Sequence, residues 1–169
     1  MKVILLLVGL LLIAGGAAAR TNSNADGKFG VGFELGEPTS INVKYIQDAT
    51  YAYDGAISFT YNDYIVLYGD ILMQFPKLIP RTNEFFDRLT PYMGAGPVLV
   101  VASNSDHPKG EYYDKRSDSL AIGARVPFGI EWMWDRVPLG IGLELAPGII
   151  ILPGTVGMVQ GGLTIRYYF

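Results

Sequence analysis

The chain has 169 residues with a net charge of −3 at pH 7 and contains no Cys. It can therefore form no disulfide framework and no thiol nucleophile, and it cannot carry a lipid on a Cys. The acidic balance and the lack of a basic cluster exclude nucleic acid as an expected partner. Half of the residues are hydrophobic, yet the 21 Gly and 10 Pro disfavour a helical fold, because both residues destabilise helix interiors.

The N-terminal stretch MKVILLLVGLLLIAGGAAAR has the features of a secretory signal peptide. Lys2 precedes an apolar run from Val3 to Ala14, and small residues follow as far as Ala19. The run is too short to cross a bilayer as a helix, and the small residues offer a cleavage site. We predict a signal peptide over residues 1–19 and one secreted, unlipidated domain over 20–169. A retained N-terminal anchor is the less favoured alternative.

Residues 28–169 divide into eight segments in which apolar side chains alternate with polar or small ones. In KFGVGFELG, for example, Phe29 and Val31 share one face and Glu34 lies on the other. This period of two is typical of strands with one apolar face, and an even number of strands of about ten residues suits a bacterial barrel. The predicted fold is all-β, an eight-stranded antiparallel up-and-down transmembrane β-barrel.

Alternation alone fits both a soluble barrel with an apolar interior and a membrane barrel with an apolar exterior. Glycine collects on the polar faces, as at Gly30, Gly32, Gly140 and Gly142. The narrow interior of an eight-stranded barrel needs such residues, because large side chains from every strand would collide there. We therefore predict that the apolar faces point to lipid.

Aromatic residues fall mainly at one end of the segments when these run alternately down and up. Such clustering indicates an interfacial girdle, since amphipathic rings settle at the level of the lipid headgroups. The girdle predicted at the periplasmic end consists of Phe29, Tyr45, Tyr51, Tyr53, Phe75, Tyr92, Trp132, Trp134, Tyr167 and Phe169. A weaker outer girdle is predicted at Phe33, Phe59, Tyr61 and Tyr64.

Charged residues inside the segments share the polar faces. A Lys or Arg that faced lipid at the bilayer midplane would cost about 2–4 kcal/mol, so these residues should point inward and pair. The predicted interior network is Glu34, Lys44, Asp54, Asp70, Arg125, Glu131, Glu144 and Arg166. Five acids against three bases leave two carboxylates unmatched, so one of them is expected to be protonated or bridged by water. A salt-bridged plug is favoured over a gated path, because the lumen holds only its own side chains.

The fifth segment, PYMGAGPVLVVAS, has no charged residue to mark its polar face. We assign Gly94 and Gly96 to the inward face and Met93, Ala95 and Leu99 to the lipid.

Three prolines, Pro97, Pro127 and Pro147, lie inside strands that have no free edge. Because proline donates no backbone hydrogen bond, we expect bulges or ladder gaps there. The long connection FPKLIPRTNEFFDRL is predicted to contain a helical turn at 84–89.

Four stretches, GEPTSINVKY, RVPFGIEWMW, ELAPG and GGLTIRYYF, resemble a family of small bacterial outer-membrane barrels, similar to OmpX and to the transmembrane domain of OmpA. In that family a Gly-x-Pro-Thr turn, a Lys-Tyr strand, an Arg-Val-Pro-x-Gly strand and an Arg-Tyr-x-Phe end recur. The resemblance implies an outer-membrane location and carries over no catalytic or binding residue. The last strand, ending at Phe169, is similar to the signal that the barrel-assembly machinery reads.

His107 is the single His and lies in the longest predicted loop, near Ser103 and Ser105. Some eight-stranded barrels are lipid A-modifying enzymes that use a His and a Ser, but no spacing motif here supports a triad. The acidic residues of the loop lack the spacing of a calcium-binding loop. We predict a solvated loop, with no metal and no cofactor.

The predicted function is a small non-enzymatic outer-membrane protein whose lumen is plugged by side chains and whose role is structural or surface interaction. The alternatives are a lipid A-modifying barrel enzyme and a narrow ion or solute channel. Expected partners are outer-membrane lipid and the barrel-assembly machinery, which would contact the C-terminal strand. A closed sheet offers no edge for pairing, so we expect a monomer.

Overall fold

The computed structural model describes residues 28–59, 64–80, 83–102, 120–134 and 137–169. Within these ranges the chain is nearly all antiparallel β-sheet, with one short helix, α1 (Glu84–Asp87). The strands are β1 (Phe29–Glu37), β2 (Thr39–Ile46), β3 (Tyr51–Phe59), β4 (Tyr64–Gln74), β5 (Leu89–Ala102), β6 (Leu120–Arg125), β7 (Phe128–Met133), β8 (Leu139–Leu152) and β9 (Val156–Tyr168).

The strands close into a ring. Strands β1 to β5 pair in sequence, β8 pairs with β9, and β9 returns to β1. Both β6 and β7 lie between β5 and β8, so together they form one stave, meaning one strand position in the barrel. The nine described strands therefore make eight staves, and the predicted eight-stranded antiparallel barrel is confirmed.

Val126 and Pro127 interrupt the stave that β6 and β7 share. Strand β6 ends at Arg125 and β7 begins at Phe128. Pro147 lies across the same gap on β8, where its carbonyl accepts a hydrogen bond from the N–H of Val126 at 2.8 Å. Two prolines thus share one break in the ladder, and this predicted gap is confirmed.

A second gap surrounds Pro97 on β5. The β4–β5 ladder contains the pairs Tyr68–Val98 and Ile71–Ala95 and no pair between them. Proline lacks the backbone N–H that a central strand would donate, which explains the missing pairs.

The outer wall of the barrel is apolar, and the charged residues of the strands lie in the interior. Leu35, Ile71 and Leu143 on the wall are 56%, 60% and 60% exposed, whereas Lys44 and Arg166 inside are 0% and 1% exposed. A water-soluble protein has the opposite arrangement, because burying a charge is costly and burying apolar surface is favourable. The alternation of side chains therefore directs the charged residues to the lumen.

Helix α1 forms in the connection between β4 and β5, as predicted. The Asn83 side chain caps it, since its Oδ1 accepts hydrogen bonds from the N–H groups of Phe85 and Phe86 at 3.1 Å each. The carbonyl of Arg88 accepts a hydrogen bond from the N–H of Met133 at 3.2 Å, which joins the connection to the end of β7. No helix among the described residues combines the length and hydropathy needed to cross a bilayer.

The turn between β2 and β3 is tied by Asp48. Its Oδ1 accepts hydrogen bonds from the N–H groups of Thr50 at 2.7 Å and Tyr51 at 2.9 Å. These two donors hold the pKa of the exposed Asp48 carboxyl below its usual range.

Tyr64 and Tyr92 face the lumen, although both are predicted to belong to the aromatic girdles. Met93 and Ala95 are exposed on the wall, so their neighbour Tyr92 points inward and is 3% exposed. Tyr64 is likewise 3% exposed, because it shares its face with the buried Val66. Both girdle assignments were wrong, and the alternation of side chains in β4 and β5 is the physical reason.

Candidate functional site: the barrel interior

Two clusters of polar side chains, each containing an arginine, fill the lower and middle lumen. We call the end that holds Phe29 and Phe169 the lower end. Along β8, Gly142 pairs with Glu131, and Gly148, further up the same strand, pairs with Arg125. The Glu131 cluster is therefore the lower one and the Arg125 cluster lies above it.

The lower cluster is centred on Glu131. Lys44 Nζ lies 2.6 Å from Glu131 Oε2, and the hydroxyl of Tyr168 donates a hydrogen bond of 2.6 Å to Oε1. Arg166 connects this carboxylate to Asp54, with Nη1 3.3 Å from Glu131 Oε1 and Nη2 2.8 Å from Asp54 Oδ2. Two cations and two carboxylates thus form one continuous network.

The middle cluster is centred on Arg125. Its Nε and Nη2 donate to Asp70 Oδ2 at 3.0 and 2.7 Å, and Nη2 also reaches Glu144 Oε1 at 2.7 Å. The guanidinium carbon lies 3.4 Å from the centroid of the Tyr68 ring, and Nη1 donates to Gln160 Oε1 at 3.0 Å. A planar guanidinium can bind two carboxylates and stack on a ring at once, which a lysine cannot do.

Glu34 has neutral donors. Its Oε2 accepts hydrogen bonds from the hydroxyls of Tyr68 at 3.0 Å and Ser40 at 3.1 Å. The other four interior acids each lie in a salt bridge, namely Asp54, Asp70, Glu131 and Glu144. The interior has more acids than bases, and the hydroxyl groups of a tyrosine and a serine supply the hydrogen bonds that Glu34 accepts.

Tyr92 links the two clusters. Its hydroxyl donates a hydrogen bond of 2.8 Å to Glu144 Oε2, and the Lys44 ammonium lies 4.6 Å from the centroid of its ring. Sequence reasoning missed this residue, because β5 carries no charge to reveal which face is inward. The prediction that Met93 faces outward could have revealed the inward position of Tyr92, because neighbouring residues of a strand point to opposite faces.

The upper lumen is mainly apolar. The buried residues that pack there are Ala56, Tyr64, Val66, Tyr68, Val98, Val100, Ala121, Ile150 and Met158. Tyr68 belongs to this apolar cluster through its ring and to the polar one through its hydroxyl. The interior therefore changes from charged to apolar along the barrel axis.

Glycines make room for the large interior side chains. A Cβ at Gly30 would lie 2.7 Å from Cε1 of Tyr168, and one at Gly129 would collide with the Tyr92 ring. Each glycine is on a strand next to that of the large residue, so a small residue on one strand accommodates a large one on its neighbour.

The structure buries every residue of the predicted interior network: Glu34, Lys44, Asp54, Asp70, Arg125, Glu131, Glu144 and Arg166. Of the predicted girdle, Phe29, Tyr45, Tyr51, Tyr53, Tyr167 and Phe169 are exposed on the wall, and Phe75, Trp132 and Trp134 are half-buried there. Phe33 and Phe59 are exposed towards the upper end. Contact of these rings with lipid headgroups stays a prediction.

The described ranges contain no group of three or more His, Cys, Asp or Glu side chains placed to hold a metal ion. Predictions about His107, Ser103, Ser105, Tyr61 and the acidic loop residues lie outside the described residues.

Residues 20–167 match the family described as "Protein of unknown function (DUF3996)". The chain belongs to this family. No curated protein matches the sequence significantly. The barrel is similar to the crystal structure of the N-terminal β-barrel domain of Pseudomonas aeruginosa OprF, with a TM-score of 0.56, 13% identity and coverage of 83% of this chain and 95% of that domain.

At this identity the likeness to OprF shows a shared fold for this DUF3996 chain. It supports the predicted resemblance to outer-membrane-type barrels, whereas a specific similarity to OmpX stays a prediction.

Proposed function

We propose that this protein is a non-enzymatic outer-membrane protein that crosses the membrane as an eight-stranded barrel and whose lumen is closed by its own side chains. One observation carries the proposal, the inverted polarity of the barrel. Every strand has a large apolar side chain exposed on the wall: Phe33, Val43, Ile57, Ile71, Met93, Ile122, Phe128, Leu143 and Ile165. An apolar belt that surrounds the molecule fits a lipid environment, because soluble monomers rarely expose patches of such extent.

The closed lumen is supported by contacts that cross it. Lys44 on β2 reaches Glu131 on β7, and Arg166 on β9 reaches Asp54 on β3. The mainly apolar cluster of buried side chains lies above these bridges and packs inside the barrel. A barrel closed in this way would serve as a rigid membrane body that carries its loops at the surface.

The proposed partners follow from this placement. Outer-membrane lipid would contact the wall, and the barrel-assembly machinery would bind the C-terminal strand that ends at Phe169. Residues 1–19 would be removed during secretion. The family match begins at residue 20 and supports this division. We propose a monomer, because each of the nine described strands has a hydrogen-bonded neighbour on both sides.

The test of the location is membrane fractionation followed by electrophoresis in SDS with and without heating. The proposal predicts that the protein is in the outer-membrane fraction and migrates differently before and after heating, because a folded barrel resists SDS. Recovery of the protein in the soluble periplasmic fraction would contradict it.

The test of the closed lumen is recording from planar bilayers that contain the refolded protein. We expect no current steps at any applied voltage. Reproducible steps would favour the narrow channel instead.

For the enzyme alternative, a His107→Ala protein should leave the lipid A mass profile of the cell unchanged.

A further inference from the structure

Helix α1 lies against the outside of the barrel wall. The Phe85 ring stacks on the Trp132 ring with centroids 6.0 Å apart and an angle of 29° between the planes. Trp132 is on the outward face of β7, the face that also carries the exposed Phe128. Residues 85–88 of the connection between β4 and β5 therefore lie against the outside of the wall at the lower rim.

The surface that results is apolar and aromatic. We define the α1 patch as Phe85, Phe86, Arg88, Trp132 and Trp134. Phe85 is 55% exposed and Phe86 is 37% exposed. The rings form a connected group, with centroid distances of 5.5 Å between Phe85 and Phe86 and 4.2 Å between Trp132 and Trp134. If this group of rings faced water, its apolar surface would stay hydrated, which is unfavourable.

The patch continues the apolar wall at the level of the girdle. Phe128 lies four residues above Trp132 on the same face of β7, and Phe85 of α1 packs on Trp132. The Arg88 guanidinium lies 6.0 Å from the Trp132 ring centroid, at the edge of the group. An aromatic surface with a guanidinium beside it suits the lipid headgroup region, where rings meet the glycerol level and arginine binds phosphate.

We propose that the α1 patch lies in the phospholipid headgroup region of the inner leaflet and acts as an in-plane anchor for the lower rim. This inference rests on the proposed membrane location. Any barrel embedded up to its girdle would carry α1 into that region, because the helix is fixed to the wall by the Phe85–Trp132 stack and by the hydrogen bond from Met133 to Arg88. The anchor would set the depth of the barrel and restrict its tilt.

The experiment uses a single tryptophan as a depth probe. The chain has two Trp residues, so Trp132→Phe and Trp134→Phe together remove all native signal and keep a ring beneath position 85. Phe85→Trp is then added, and the full-length chain, purified from membranes, is reconstituted into phosphatidylcholine vesicles. The lipids carry bromine either near the headgroup end or near the methyl end of the acyl chain.

We expect the emission of Phe85→Trp to be lost mainly with the shallow bromine label and to be protected from iodide in the water. A matched control places Leu143→Trp in the same background, since Leu143 is 60% exposed on the wall. It should be quenched by the deep label. If Leu143→Trp responds to lipid while Phe85→Trp responds only to iodide, the anchor is wrong and the barrel assignment stands. If neither position responds to lipid, the proposed membrane location itself fails.

Discussion

Lys44 and Glu131 lie on opposite sides of the barrel and meet across the lumen, with Nζ and Oε2 2.6 Å apart. Three staves separate β2 from the stave of β6 and β7 in either direction around the ring. The salt bridge therefore spans the full diameter of the interior. Backbone hydrogen bonds connect β2 and β7 only through the strands that lie between them, whereas the salt bridge joins the two strands directly.

Replacing Lys44 with Met should destabilise the barrel strongly. Removing one partner of a buried ion pair typically costs about 3–5 kcal/mol, and Glu131 keeps Arg166 and Tyr168, so we expect a loss of about 3 kcal/mol in the free energy of unfolding. Urea unfolding in lipid vesicles, followed by tryptophan fluorescence, measures it. Lys28→Met, at an exposed position near the lower end, is the control and should change little. Equal effects of the two substitutions would mean that the bridge does not stabilise the fold.

Gly96 should not tolerate even one methyl group. A Cβ there would collide with the carbonyl oxygen of Gly69 and with the Asp70 carboxylate, which Arg125 holds in place. We expect Gly96→Ala to destabilise the barrel by about 1–3 kcal/mol, the usual cost of overpacking. The fraction of protein that resists unfolding by SDS without heating reports this loss. Gly154→Ala is the matched control, because nothing lies within 4 Å of a Cβ at that position. A normal folded fraction for Gly96→Ala would contradict the close packing.

The hydroxyl of Tyr92 should contribute measurably to stability. Tyr92→Phe keeps the ring and removes the hydrogen bond of 2.8 Å to Glu144, which retains Arg125. A buried hydrogen bond to a charged group is worth about 1.5–3 kcal/mol, so we expect a loss of at least about 1 kcal/mol in the same urea measurement. Tyr53→Phe, on a side chain that is 44% exposed on the wall, should lose less. The reverse order would contradict a stabilising hydrogen bond between Tyr92 and Glu144.

Charged residues made most of the barrel predictable. Glu34, Lys44, Asp54 and Glu144 each mark the inward face of a strand, because a charge at the lipid midplane is costly. Strand β5 has no such marker, and the position of Tyr92 at the end of the strand predicts a girdle residue although Tyr92 neighbours the outward Met93. The two assignments were incompatible within one alternating strand, and the conflict was visible in the sequence.

The upper lumen and the cross-lumen contacts could not be predicted. Val66, Val98 and Val100 are buried inside while their neighbours on the wall are also apolar, so alternation of polarity carries no signal there. Which charged residues meet depends on the order of the strands around the barrel and on the register of their pairing. The contact between Lys44 and Glu131 joins residues 87 positions apart and becomes visible only when the ring is closed.

The polarity of the wall can be measured directly, because the chain contains no Cys and a single spin label can be placed at will. Labels at Leu143→Cys and Leu145→Cys on β8, in vesicles, report collisions with oxygen in the lipid and with a nickel complex in the water. We expect frequent oxygen and rare nickel collisions at both positions. Frequent nickel collisions at 143 and 145 would show a wall that faces water, and would contradict the membrane barrel.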